Sequence, residues 1–368
     1  PPENLEQKNK TKNNIFRISD LFGSSKGQGL SKEDFTEKGK YYCILYGELY
    51  KYNEIIQKID TKTNSQEGKL GEYGDILIPS SNKDKNNKYV TASVLLENNV
   101  KIGNDIIILK NKRKDLIDEI FFAYYFSNAI KRDVAKLTQG ITITHLYWKD
   151  FKDLKIKIPS LKYQKLISSF LIHIEDKINL MKHKLEELGK FKKYLLQKLF
   201  DSSDCSNIIT LGSVSEKIAS GNNKEASDGK FVLYGSIDII GKSEDSFIDG
   251  EALLMARVGA NTGTINYVNG TYGVSDNAIA IIFNDNVYCL YMYYLLSTLN
   301  LNKYIIGSGR PLIKASDIKK IKINLPTYKK QQEISNFLKA VDKKINLTEN
   351  KISAIKKFKS GLLQKMFV

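Results

Sequence analysis

Five arginines, three histidines and three cysteines are the side chains of this sequence whose types suit specialised chemistry, and their spacing excludes most of it. Cys43, Cys205 and Cys289 lie far apart with no CxxC pair. Neither a disulfide framework nor a structural zinc site is expected, and a reducing cytoplasm is the default compartment. His173 and His183 stand ten positions apart on a helical pattern, which does not bring them together as metal ligands. No GxxxxGK followed by Ser or Thr is present to cradle a triphosphate, and no Asn-Pro-Pro-aromatic tetrapeptide to hold an extruded adenine. Asp60 with Glu67 and Lys69 imitates the carboxylate–lysine cluster of a nuclease, but the polar stretch around it offers no strand to hold that geometry. The sequence therefore predicts no catalytic residue, no metal and no cofactor in this chain.

What remains suits hydrogen bonding and charge. Arginine is scarce, so its placement is informative. Arg257 follows the apolar run Leu253–Ala256 and opens the loop Gly259–Gly263, and Arg310 sits in a second Gly-Ser-Gly loop. Arg113 and Lys114 read as a solvated hairpin turn, and Trp148 and the tyrosine pairs Tyr124-Tyr125 and Tyr293-Tyr294 as core.

The elements that must position these loops are dominated by a repeat. Pro159 to Phe200 slides by 167 positions, without a gap, onto Pro326 to Phe367, with about 20 of the 42 pairs identical. Each copy opens at a proline, a residue suited to a helix start, and reads as one helix on the order of 60 Å long. The expected seam is Ile167, Phe170, Ile174, Ile178 and Leu185 in the first copy. In the second it is Ile334, Phe337, Val341, Ile345 and Ile352. Lysine interrupts both seams at the same place, Lys192 and Lys359. A narrow apolar stripe of that length needs a partner, and an antiparallel pair is favoured because a globular segment separates the two copies.

Those segments are 15–158 and 206–325, after a polar lead-in over 1–14 and a break at 201–205; the helical segments are 159–200 and 326–368. Short β-branched or aromatic runs at Tyr41–Tyr46, Asp75–Ile78 and Asp105–Leu109 predict strands, and Leu116–Ile130 predicts a helix. Gly23–Gly29 and the stretch from Pro79 onward predict exposed loops. The second segment echoes the first: Tyr46-Gly47 in Tyr234-Gly235, and Gly74-Asp75 in Gly250-Glu251. The expected fold is α+β, two mixed α/β domains separated by a long antiparallel two-helix coiled coil, with a pseudo-twofold internal repeat. Matched scaffolds with unlike loops suggest two sites of one kind that read different targets.

The net charge of +16 points to a polyanion, although a lysine-rich genome composition would give the same total. The helical copies carry +5 and +7, so most of the excess sits on them. No apolar run approaches the roughly 18 residues of a membrane span.

The arrangement resembles the specificity subunit of type I restriction–modification systems. The resemblance rests on the proline-led helices with Gln164 and Gln331-Gln332 just after them. It rests also on the helix ends Leu195-Leu196-Gln197-Lys198 and Leu362-Leu363-Gln364-Lys365, the approaches Gly307–Ile313 with Asp317-Ile318 and Gly140 with Asp150-Phe151, and Val274–Ala278. Thr142-Ile143-Thr144-His145 departs from the Ser/Gly-rich approach of that family. The resemblance implies two target-recognition domains, each reading half of a split site in double-stranded DNA, with the helices as spacer. It implies a non-catalytic subunit that recruits two methyltransferase (modification) subunits and, in the full complex, two restriction subunits. S-adenosylmethionine, ATP and Mg would belong to those partners.

Base edges are read by Arg, Asn, Gln, Ser or Thr in loops. The candidates are Arg257, Asn261, Thr262, Ser308 and Arg310 in the second domain. In the first they are Lys26, Gln28, Ser81, Asn82, Lys83, Thr142 and His145. An autonomous DNA-binding regulator, or a protein-interaction module without DNA specificity, also fits these residues.

Overall fold

The computed structural model describes residues 14–82, 90–140, 143–200, 208–307 and 309–367. The chain divides into two compact units, one of residues 1–180 with 353–368, the other of residues 181–352. Each helix of the repeat is continuous, the central one over Leu161–Leu199 and the C-terminal one over Tyr328–Phe367. They begin two residues after the prolines. Ser160 O accepts from Tyr163 N and Gln164 N, and Thr327 O accepts from Gln331 N, so these residues, not Pro159 and Pro326, take the first helical bonds.

In the first unit a five-stranded sheet runs in the order Phe22–Lys26, Ile106–Asn111, Ile76–Pro79, Ser93–Leu95, Ile55–Ile56. A four-stranded sheet (Lys62–Thr63, Tyr41–Ile44, Val100–Ile102, Lys69–Gly71) adjoins it. The helix Glu119–Asn128 packs its aromatic face, Phe121, Phe122, Tyr124 and Phe126, into the core with Ile76, Ile78 and Leu109. Ile167 and Leu171 of the central helix and Leu363 and Phe367 of the C-terminal helix close the same core.

The second unit is built on one six-stranded sheet, ordered Ser215–Ser220, Ala278–Phe283, Ile248–Ala256, Ile265–Val274, Phe231–Tyr234, Ile239–Ser243. Its helix Cys289–Thr298 packs with Ile334 and Leu338 of the C-terminal helix, and Leu195, Leu196 and Leu199 of the central helix lie against that core. No helix among the described residues is long and apolar enough to cross a membrane.

Each unit builds the same kind of joint where its domain meets its helix. Ile15–Arg17 pairs antiparallel with Lys155–Lys157, and Ile208–Thr210 with Lys322–Asn324, so each domain starts and finishes beside its helix. Gln164, fully buried, then donates to Leu116 O and Pro159 O and accepts from Asp118 N, at the head of the domain helix. Gln331 does the same: it donates to Pro326 O and accepts from Tyr288 N, which caps the equivalent helix.

Four sequence expectations are corrected. The stretch after Asp60 does hold strands, Lys62–Thr63 and Lys69–Gly71, because its backbone pairs with Tyr41–Tyr42 and with Val100–Ile102. Phe170 and Phe337 are about half exposed, and the neighbouring Leu171 and Leu338 are fully buried in their place. A step from Ile167 to Leu171 and from Ile334 to Leu338 keeps the apolar stripe on one side of a straight helix, where the three-residue step to phenylalanine turns away from it. Gly23–Lys26 is a strand, not a loop, because its backbone completes the ladder with Leu109, Lys110 and their neighbours. Ser81 and Asn82 are buried in a short strand, paired with Thr144–His145, and not exposed.

Candidate nucleic-acid interface

In the second unit, two loops about fifty residues apart in sequence are laced into one surface. The strand Ile248–Ala256 delivers Arg257, whose N donates to Asn277 O and whose O accepts from Ile313 N. Its guanidinium donates through Nη1 to Asp276 O at 2.9 Å, which holds the side chain by one of its five donors. Gly259 N donates to Pro311 O, and the Thr262 hydroxyl lies 2.6 Å from Gly259 O and 3.2 Å from Pro311 O. Ile306 and Leu312 exchange both backbone bonds at 2.9 Å, an antiparallel bridge that brings the second loop back on itself. Gly307 turns it with φ of 86°, a left-handed conformation that favours glycine. Arg310 stands exposed on that turn, and Asn261 is exposed on the facing loop. Arg257, Asn261 and Arg310 are thus brought onto one face. Thr262 is 9% exposed and ties the loops together. Ser308 lies outside the described residues.

The first unit assembles its surface differently. The Ser81 Oγ lies 3.2 Å from His145 Nδ1, and the His145 ring stacks on Tyr147 with centroids 6.2 Å apart and 16° between planes. Lys26 and Lys149 each place Nζ 5.6 Å from the centre of the Tyr147 ring. Lys26, Ser81 and His145 therefore meet, and Tyr147 and Lys149 join them. Tyr147 was legible only as one more aromatic near Trp148. Gln28 is exposed beyond Gly27, where a Cβ would fall 1.9 Å from Gly103 O, so only glycine permits the close approach that presents it. Lys83 and Thr142 lie outside the described residues.

Asn82 lines a cleft of about 840 Å³ together with Ser31, Lys32, Tyr46, Tyr50 and Asn104. Burial pushes the Tyr50 hydroxyl up to about 12, so it stays a donor, and it donates to Ser81 O at 2.9 Å. Of the residues that line the cleft beside Asn82, only Tyr46 carried a signal in the sequence, through its echo at Tyr234. Arg113 is committed to Asp115, its Nη2 lying 2.7 Å from Oδ2, and faces solvent as a turn residue would.

Two repeats of a domain followed by a helix, each presenting polar and basic loops, define a duplicated recognition protein. A sequence profile for the type I restriction modification DNA specificity domain matches residues 10–190 and 202–357. The chain belongs to this family. It is the DNA sequence-recognition subunit of a type I restriction–modification enzyme and a non-catalytic component of it.

Relatives agree along nearly the whole length. The type I restriction enzyme MjaVIII specificity subunit of Methanocaldococcus jannaschii is 22% identical, covering 95% of this chain and 90% of its own. The EcoprrI specificity subunit of Escherichia coli is 21% identical, covering 94% and 89%. The crystal structure of a type I restriction–modification S subunit from M. genitalium superposes with a TM-score of 0.69 at 21% identity, covering 99% and 98%. A second type I restriction–modification structure gives 0.56 at 13% identity, covering 96% and 97%. These likenesses extend to the fold.

Proposed function

We propose that each domain reads one half of a bipartite DNA site, and that the two long helices pair as an antiparallel coiled coil that sets the spacing. The observation that carries this reading is the duplication itself. The same joint, with its strand pair and buried glutamine, is built twice, while the loop surfaces at Arg257–Arg310 and at Lys26–His145–Tyr147 share no residue pattern. Antiparallel pairing is supported within each unit. In one, Lys359 of the C-terminal helix meets Glu175 of the central helix, and in the other Lys192 meets Asp342.

Arg257, Asn261 and Arg310 read the second half-site. Lys26, Gln28 and His145 read the first, with Ser81 orienting the His145 ring and Asn82 facing the cleft. Lys83, Thr142 and Ser308 are kept as base or phosphate contacts on sequence grounds. Thr262 acts by holding its loops.

The helices also dock the modification subunits. Phe170 and Leu180 on one helix and Phe337 and Leu347 on the other occupy equivalent positions of the repeat, and all four are 46–71% exposed. Large apolar side chains duplicated on an outer face suit two copies of one partner. Two restriction subunits complete the enzyme. S-adenosylmethionine, ATP and Mg are bound by those partners, and the complex works in the cytoplasm, where Cys43 and Cys289 remain free thiols.

The test is equilibrium binding to duplex DNA, alone and with the methyltransferase subunits, across a salt series. Affinity should fall linearly in log K against log salt, with a slope near −0.9 for each phosphate neutralised. Sequence discrimination should sharpen when the methyltransferase subunits are present. Affinity indifferent to both salt and sequence would instead mark a protein-interaction module.

A further inference from the structure

The long helices carry a second duplicated feature. Displacing Glu175 and Lys192 by 167 positions gives Asp342 and Lys359, and these four residues form two cross-helix ion pairs. Lys192 Nζ lies 2.6 Å from Asp342 Oδ1, with both side chains a little over a quarter exposed. Lys359 pairs with Glu175 and lies 3.3 Å from Glu54, at 12% exposure against 5% and 17%.

A tyrosine from the domain helix completes each site. Tyr294 donates its hydroxyl to Asp342 Oδ2 at 2.8 Å, and Lys192 Nζ lies 5.9 Å from the centre of its ring. Tyr124, fully buried, sits under Lys359 Nζ at 4.9 Å. Each triad therefore joins three elements: a lysine from one long helix, a carboxylate from the other, and a tyrosine from the recognition domain.

Stability alone does not account for charges in these places. Replacing a buried ion pair by well-packed apolar residues is commonly neutral or stabilising, whereas a single polar group in an apolar seam specifies register. The sequence supports register here. Because each helix is continuous, sliding one along the other moves both lysines together. A shift of one heptad one way sets Lys192 against Ser335 and Lys359 against Ser168. The other way sets Lys192 against Glu349 but Lys359 against Lys182. Neither shift gives both lysines an acid.

We propose that the two Lys–carboxylate–Tyr triads are positioning sites that lock the register of the paired helices and the seat of each recognition domain on them. They thereby fix a single spacer length between the half-sites. This rests on the reading of the helices as a spacer.

The test uses the complex with methyltransferase subunits and a set of duplexes whose half-sites are separated by spacers of stepped length. Wild type should prefer one spacer by about tenfold or more, roughly the effect of one well-made polar contact. The quadruple variant Lys192→Met, Asp342→Leu, Glu175→Leu, Lys359→Met, made together with Glu54→Leu and Tyr294→Phe so that neither that carboxylate nor that hydroxyl is left without its partner, should keep its melting temperature or gain, yet accept neighbouring spacers with that preference largely lost. A purely structural role predicts the reverse, a lower melting temperature with the spacer preference intact, and that result overturns the proposal.

Should the quadruple variant not fold, charge exchange decides. Lys192→Asp should broaden the spacer preference, and adding Asp342→Lys should restore it. An unchanged preference in Lys192→Asp, or no restoration in the pair, also overturns the proposal. Wild type that accepts all spacers equally would sink the spacer reading, and this inference with it. A strict wild type with equally strict variants would sink this inference only.

Discussion

Replacing Arg310 and Arg257 by alanine, one at a time, separates base reading from backbone anchoring. Arg310 is exposed beside the Ile306–Leu312 bridge and takes no part in its backbone bonds, so its loss leaves that bridge intact. Its guanidinium is free of the committed contact that Arg257 makes with Asp276 O. A bidentate contact to a guanine edge contributes about 1–3 kcal/mol of discrimination, so Arg310→Ala should weaken binding to the cognate site by roughly 5- to 150-fold and relax selectivity at one base pair. Arg257→Ala should do likewise, with about 1 kcal/mol of folding stability lost in addition through the Asp276 bond. If either arginine contacts only phosphate, binding should fall evenly across sequences and the salt slope should drop by about 1. The assay is binding of the complex to duplexes in which each position of the second half-site is replaced in turn, at several salt concentrations. Changes smaller than twofold in both variants, or altered selectivity in the first half-site, would refute this placement of the second reading surface.

Other outcomes follow from the packing. Gln164→Leu strands Asp118 N, Leu116 O and Pro159 O, and should lower stability by about 2–4 kcal/mol in urea unfolding followed by Trp148 emission, while Gln197→Leu on the exposed face changes little. Burial pushes Cys43 up to about 12 and raises Cys289 further, so both thiols should resist alkylation in the native protein and react once it is unfolded. Each therefore holds its proton more tightly folded than unfolded. Stability should decline as pH rises through the unfolded thiol value of about 8.5, and further above about 10, where tyrosines such as Tyr50 and Tyr291, also raised by burial to about 12, begin to ionise in the unfolded chain. Removing one heptad from each helix at the same level, Leu180–Glu186 with Thr348–Ala354, shortens the rod by about 10 Å. The preferred spacer should shorten by about three base pairs, read from methylation of spacer-length variants.

The repeat was legible because identical residues recur at one displacement, and the two long helices followed from it. What the sequence hid was set by contacts between distant segments. Phe170 was read as seam because spacing counts any apolar residue, and only the packed core distinguishes it from Leu171. Gly23–Lys26 lacks strand propensity, and its ladder with Leu109 and Lys110 overrides that. Ser81 and Asn82 look like loop residues until Thr144–His145 is laid beside them. The lysines at 192 and 359 were visible as interruptions of the seam, but their acids are on the other helix and their tyrosines in the domains. The glutamines after Pro159 and Pro326 were visible as a motif, and only the backbone of Asp118 and Tyr288 explains them.

The most direct test of divided recognition is to exchange residues 206–325 for the corresponding segment of another family member and map methylated sites across the genome of cells carrying the complete system. The original protein should yield a bipartite motif with a fixed, unread spacer. The exchange should change one half of that motif and leave the other half and the spacer as they were. A continuous motif, or an exchange that alters both halves together, would contradict the assignment of one half-site to each domain.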